Sequence, residues 1–178
     1  MSTVDLVLLG MIYEQPCSAY EMQKNIEYRN LSKWVKVSSP SIYKKVIQLE
    51  KKGYLTSDTI REGKMPEKAV YSITSAGKDY FLSLMKENAT RTISVMFDFN
   101  AVVANLNKIP KEQALELLAD IRTGIIGSKS YMEKMVPQRK HIPLVGQTII
   151  SQQVQVLEAL LSWIDSFEHE FNGLGEGK

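Results

Sequence analysis

The chain has 178 residues, 44% of them apolar, and 22 basic against 20 acidic side chains for a net charge of +2. That suits one large domain or two small ones with proper cores. No apolar run approaches the ~20 residues that span a bilayer. Residues 1–5 lack a basic stretch ahead of the apolar ones, so no signal peptide is expected. A single cysteine, Cys17, excludes an internal disulfide and points to a reducing cytoplasm as the working compartment.

Residues 4–13 read as an apolar, buried helix that Pro16 ends. Ser18 and Glu21 then have the spacing of a capping box, and Tyr20, Met22 and Ile26 supply the core side of a second helix. Residues 29–36 form a polar connection in which Trp34 serves as a packing anchor. Ser39 caps a third helix with Pro40 in its first turn, and Gly53 ends it. Ile42, Val46 and Leu49 recur at steps of four and three, an apolar stripe for a core. Ser41, Lys44, Lys45, Gln48 and Lys52 are assigned to the opposite face, with Tyr43 on the border. Two strands follow, residues 54–60 and 69–74, with Tyr71 and Ile73 on one face. The charged loop between them, 61–68, turns at Gly63 and Pro66. Thr74 caps a fourth helix running to about residue 88.

The second half shows no strand signal. Residues 93–106 are helical in pattern and cluster Met96, Phe97 and Phe99. Pro110 opens a further helix, whose apolar series runs Ala114, Leu118, Ile121, Ile125, Ser128, Met132 and Met135. Gly124 and Gly127 weaken it by ~1 kcal/mol each against Ala. Residues 136–143 read as a break. From residue 147 a last helix carries Ile150, Val154, Leu157, Leu161, Ile164, Phe167 and Phe171, close to a coiled-coil seam. The tail from Gly173 reads as frayed. The two long helices have seams suited to each other or to a second chain.

A basic helix followed at once by a hairpin with a charged tip is the layout of a winged helix. A helix of this width fits the DNA major groove, and a hairpin tip reaches the neighbouring backbone. Between residues 33 and 52, six lysines face only Glu50, a patch suited to salt-sensitive phosphate binding. The expected fold is therefore mainly α with a small β-hairpin. It comprises an N-terminal winged helix-turn-helix domain, residues 1–90, and an all-α dimerisation domain, residues 91–178. Ser39, Ser41, Tyr43, Lys44, Lys45 and Gln48 are the candidate DNA contacts on the helix, with Gln48 the candidate base reader.

Five segments keep the order and spacing of a known family. They are Leu8-Leu-Gly-Met-Ile-Tyr13, Ser18-Ala-Tyr-Glu-Met22, Val37-Ser-Ser-Pro-Ser-Ile-Tyr43, Leu49-Glu-Lys-Lys-Gly-Tyr-Leu55 and Val70-Tyr-Ser-Ile-Thr-Ser-Ala-Gly77. Over residues 5–80 the chain resembles the PadR-like transcriptional regulators, and its long second half resembles the subgroup with a helical C-terminal dimerisation domain. The resemblance implies a homodimeric winged-helix protein, usually a repressor, acting on an inverted-repeat operator in double-stranded DNA. It places Ser41 and Tyr43 near phosphates and Lys64 and Lys68 on the wing. It also implies a response to small flat aromatic compounds, for which Met96, Phe97, Phe99 and Trp163 are the candidate effector pocket. Ordinary core packing is the competing reading of those four. The chain departs from the family's habit in Ser18-Ala19-Tyr20, where a His-Gly-Tyr sequence is common, and in Lys44, where proline often stands.

No catalytic, metal or cofactor site is expected. Cys17 has no histidine nearby in sequence, His141 and His169 are not at ligand spacing, and no phosphate-binding glycine loop or nucleophile elbow is present. The alternative function is a winged-helix protein-interaction module without specific DNA binding.

Overall fold

A computed structural model describes residues 3–33, 35, 39–61, 67–138 and 142–173. The expectations for Trp34, Gly63, Lys64, Pro66, His141 and the tail 174–178 lie outside the described residues. The chain divides into two compact units, Met1–Ile93 and Ser94–Lys178.

The first unit holds α1 (Thr3–Glu14), β1 (Cys17–Ser18), α2 (Ala19–Tyr28), α3 (Ser39–Lys51), β2 (Leu55–Ile60), β3 (Lys68–Ile73) and α4 (Ser75–Ala89). A helix that is apolar nearly all round belongs inside, and α1 buries Leu8, Leu9, Met11 and Ile12. Around it Met22, Ile42, Val46, Leu49, Leu55 and Leu84 close the core, each at most 2% exposed. Burying side chains of this size contributes roughly 1.5–3 kcal/mol apiece. The expected capping box is present at α2. Ser18 N–H donates to Glu21 Oε2 at 2.7 Å, and Glu21 N–H donates to Ser18 Oγ at 3.3 Å.

Both expected strands form, antiparallel, with Leu55 opposite Ile73 and Ile60 opposite Lys68. A third strand was not legible in the sequence: β1 pairs with β3 through Cys17 opposite Tyr71 and Ser18 opposite Val70. Two residues are too few to display any alternation.

One joint connects three elements. Gly53, at φ +77°, ends α3 in a Schellman turn: its N–H donates to Glu50 O at 2.8 Å and Tyr54 N–H to Leu49 O at 3.0 Å. Tyr54 O then accepts from Thr74 N–H at 3.1 Å. Thr74 Oγ1 donates to Gly53 O at 2.7 Å and accepts from Gly77 N–H at 3.0 Å, capping α4. The rings of Tyr54 and Tyr80 stack at 4.2 Å across the same joint.

The second unit holds α5 (Asn100–Val103), α6 (Lys111–Gln138) and α7 (Leu144–Gly173). The expected helix over 93–106 is mostly absent. Residues 92–97 have no regular structure, and only α5 and a 3-10 turn at Leu106–Lys108 are helical. The expected break from residue 136 is also shorter, since α6 continues through Pro137 and α7 begins at Leu144. Pro137 cannot donate to the carbonyl four residues back, and α6 ends one residue later, at Gln138. The two seams meet within the chain: Ala114, Leu118 and Ile125 of α6 pack with Leu157, Leu161, Ile164, Phe167 and Phe171 of α7. Ser128, placed in the seam by spacing, is exposed and donates to Gly124 O at 2.9 Å instead. Arg122 with Asp165 at 2.7 Å and Lys129 with Glu158 at 3.4 Å fix the antiparallel register.

Gly77 is where the first unit tolerates least. A Cβ there would stand 2.1 Å from Tyr54 O. Gly77→Ala is expected to lose about 3 kcal/mol of unfolding free energy, read from the urea midpoint. A midpoint equal to the parent's would show the joint to be loose.

Candidate nucleic-acid interface

The inward side of α3 determines its outward side. At about 100° per residue, the direction opposite Ile42, Val46 and Leu49 is occupied by Pro40, Lys44, Ile47, Gln48 and Lys51. All five are exposed. Tyr43 stands at the edge of this stripe, 45% exposed. Ser41 and Lys45 lie on the opposite flank, half-buried. Ser39 is the first residue of the helix, and its side chain is outside the described residues.

The structure thus separates residues that the sequence reading grouped. Lys44 and Gln48 are on the outer face as expected. Lys45 is not: its Nζ lies 3.0 Å from Asp5 Oδ1, with Asp5 only 6% exposed. A buried carboxylate holds its counter-charge, so this lysine braces α1 against α3. Lys51 and Ile47, by contrast, were not singled out by sequence; Lys51 sits at the centre of the outer face and Ile47 on its Tyr43 side. Counting from the buried positions rather than from the charges would have located both.

Lys68 opens β3 at the base of the hairpin. Its Nζ lies 3.2 Å from Glu21 Oε1, while the other oxygen of that carboxylate serves the capping box. The Ser18 backbone and hydroxyl, then Lys68, hold the Glu21 carboxyl below the ordinary glutamate range. One acidic side chain therefore joins the start of α2 to the root of the wing.

In the second unit, Phe97, Phe99 and Trp163 come together as expected, with ring centroids 5.2 Å and 5.6 Å apart. The column continues through Phe167 and Phe171 at 5.9 Å and 5.8 Å. Those two were legible only as seam residues. Met96 does not join it and is 79% exposed.

Cys17 is buried, and burial first, then the Glu21 and Glu14 charges, push its thiol up to about 11. Such a thiol is protonated at neutral pH and a poor nucleophile. Among the described residues no cluster of acidic, histidine or cysteine side chains could hold a metal, and no helix is long and apolar enough to cross a membrane.

Residues 8–83 match the model of the transcriptional regulator PadR-like family. No curated protein matches the chain. Among solved structures it is similar to Bacillus subtilis PadR in complex with operator DNA, at 16% identity, covering 96% of this chain and 98% of that one, with a TM-score of 0.79. It is similar to the same protein in complex with p-coumaric acid, at 16% identity, 95% and 98% coverage and a TM-score of 0.80. A third likeness is to the Vibrio cholerae virulence activator AphA, at 18% identity, 97% and 100% coverage and a TM-score of 0.73. At these identities the likeness establishes the fold, a winged helix with a helical C-terminal region.

The bracing role of Lys45 has a direct test. Asp5→Ala leaves a half-buried ammonium without its carboxylate and is expected to cost about 1–2 kcal/mol of stability. Adding Lys45→Met should restore most of that loss in a thermal melt. An additive further loss in the double variant would contradict the pairing.

Proposed function

Residues 8–83 being a domain of the transcriptional regulator PadR-like family, we propose that the chain is a sequence-specific, double-stranded-DNA-binding transcriptional regulator, acting as a homodimeric repressor. The observation that carries this reading is the outer face of α3. Its core side is sealed, and what remains outward includes Lys44, Gln48 and Lys51 on a helix of major-groove width. Ammonium groups attract phosphates without regard to sequence, whereas an amide can pair with two atoms of an adenine edge. Lys44 and Lys51 are therefore the affinity residues and Gln48 the base reader. Ser39, Ser41 and Tyr43 are candidate phosphate contacts at the start of the helix. Lys64 and Lys68 serve the wing, with Lys68 held toward the body by Glu21. Lys45 is retained only as a brace.

Dimerisation serves the same end. Two recognition helices about one DNA turn apart, ~34 Å, read an inverted repeat on one side of the duplex. The α6 and α7 seams are already filled within the chain, so the second copy would cover the apolar side chains left outside. Ile126, Tyr131 and Val156 are each more than 40% exposed. The aromatic column that includes Phe97, Phe99 and Trp163 is the candidate effector site, and a flat aromatic acid fits its stacking chemistry. Bacillus subtilis PadR in complex with p-coumaric acid supports that choice of ligand class. Such a ligand relieves repression only by binding one spacing of the two helices better than another, a coupling typically of ~1–3 kcal/mol.

The test is a mobility shift across a salt series. Lys44→Ala with Lys51→Ala should weaken binding to every duplex alike and lower the log–log salt slope by about 2. Gln48→Ala should instead change which sequences are preferred. A double lysine variant that binds as tightly as the parent, together with no retention of the parent on heparin at low salt, would favour a protein-docking module.

A further inference from the structure

The outer stripe of α3 contains a residue that phosphate binding does not explain. Ile47 is 45% exposed and neighbours Lys44, one turn before it, and Gln48 and Lys51 after it. One turn earlier on the same side stands Tyr43, also 45% exposed. A β-branched side chain on a solvated helix face gains nothing from helix propensity. It also leaves apolar surface in water within an otherwise cationic and amide-bearing stripe, on the side toward Tyr43. The core beneath does not need it, because Ile42, Val46 and Leu49 already fill that side.

A helix laid in the major groove brings its outer face against base edges, while long lysine side chains on that face reach the phosphates of the backbones. An apolar group on that face cannot hydrogen-bond to a base. The one apolar feature that any base offers in that groove is the C5 methyl of thymine. From Ile47 we infer that the α3 face selects a thymine in each half-site by methyl contact, adjacent to the base read by Gln48. The inference rests on the DNA-binding reading above and adds to it a base identity. Lys44 and Lys51 flank the contact and hold the helix to the phosphates, which excludes water from around the two apolar groups. Covering roughly one methyl's worth of surface corresponds to about fourfold in affinity.

The experiment selects bound duplexes from a random-sequence pool with the full chain. Each thymine of the selected site is then replaced by deoxyuridine, which removes only the methyl. One thymine per half-site is expected to show about a fourfold loss in the parent protein. Ile47→Ala should bring that ratio to near one, whereas Ile47→Val, which keeps branched methyls, should preserve most of it. Ile47 is exposed, so these variants keep the core intact. A selected site in which no thymine responds, or a ratio unchanged in Ile47→Ala, would overturn the methyl contact while leaving DNA binding in place. Failure of the parent to retain any duplex at low salt would overturn both.

Discussion

The burial of Ile42, Val46 and Leu49 beneath α3 is the constraint on which the rest of the first unit depends. These side chains are 0%, 1% and 2% exposed. Turning the helix about its axis by even one residue's angle would lift at least one of them into water, at a cost of about 1.5–3 kcal/mol for a full side chain. The rotation of α3 is therefore set by the core. What points outward is a consequence, and the outward stripe follows from the inner one by helical geometry alone. Other restraints hold the ends and flank. The Schellman turn at Gly53 ties the C-terminal end to Thr74 and α4, and the Asp5–Lys45 pair ties one flank to α1. A surface meant to read a rigid duplex gains from such a mounting, because a loosely held helix would lose ordering entropy on binding.

The same stripe explains what the sequence could and could not disclose. Ile42, Val46 and Leu49 are visible as a periodic pattern because periodicity is a local property. The ion pair of Lys45 is not local. It is decided by Asp5, a residue of another helix, and no window around α3 contains that information. Spacing between polar residues grouped Lys45 with Lys44, whereas counting from the buried positions would have placed Lys51 and Ile47 outward instead. Strand β1 escaped for a related reason. Cys17 and Ser18 are extended because β3 pairs with them and because Ser18 caps α2, and two residues carry no alternation of their own. The segment before α5 misled in the opposite direction. Its density of Ile93, Val95, Met96 and Phe97 resembles a helix face, yet Ile93, Val95 and Met96 are more than two-thirds exposed.

In the second unit much of the α6 and α7 seams was legible, Ser128 excepted, and the choice of partner was not. Both seams are satisfied by each other within one chain. Arg122–Asp165 and Lys129–Glu158 add little energy as exposed pairs, but their spacing permits only one antiparallel register. Any second copy must then be held by what the hairpin leaves outward. The column from Phe97 to Phe171 is likewise intramolecular.

The most direct measurement places a photo-reactive benzoyl-phenylalanine in the full chain and irradiates it with duplex DNA at low salt. Position 51, at the centre of the α3 outer face, should give a strong protein–DNA adduct, and position 82, an exposed site on α4, should give little. Equal adducts from both positions, or adducts from α4 alone, would contradict the assignment of the α3 stripe as the DNA-reading surface.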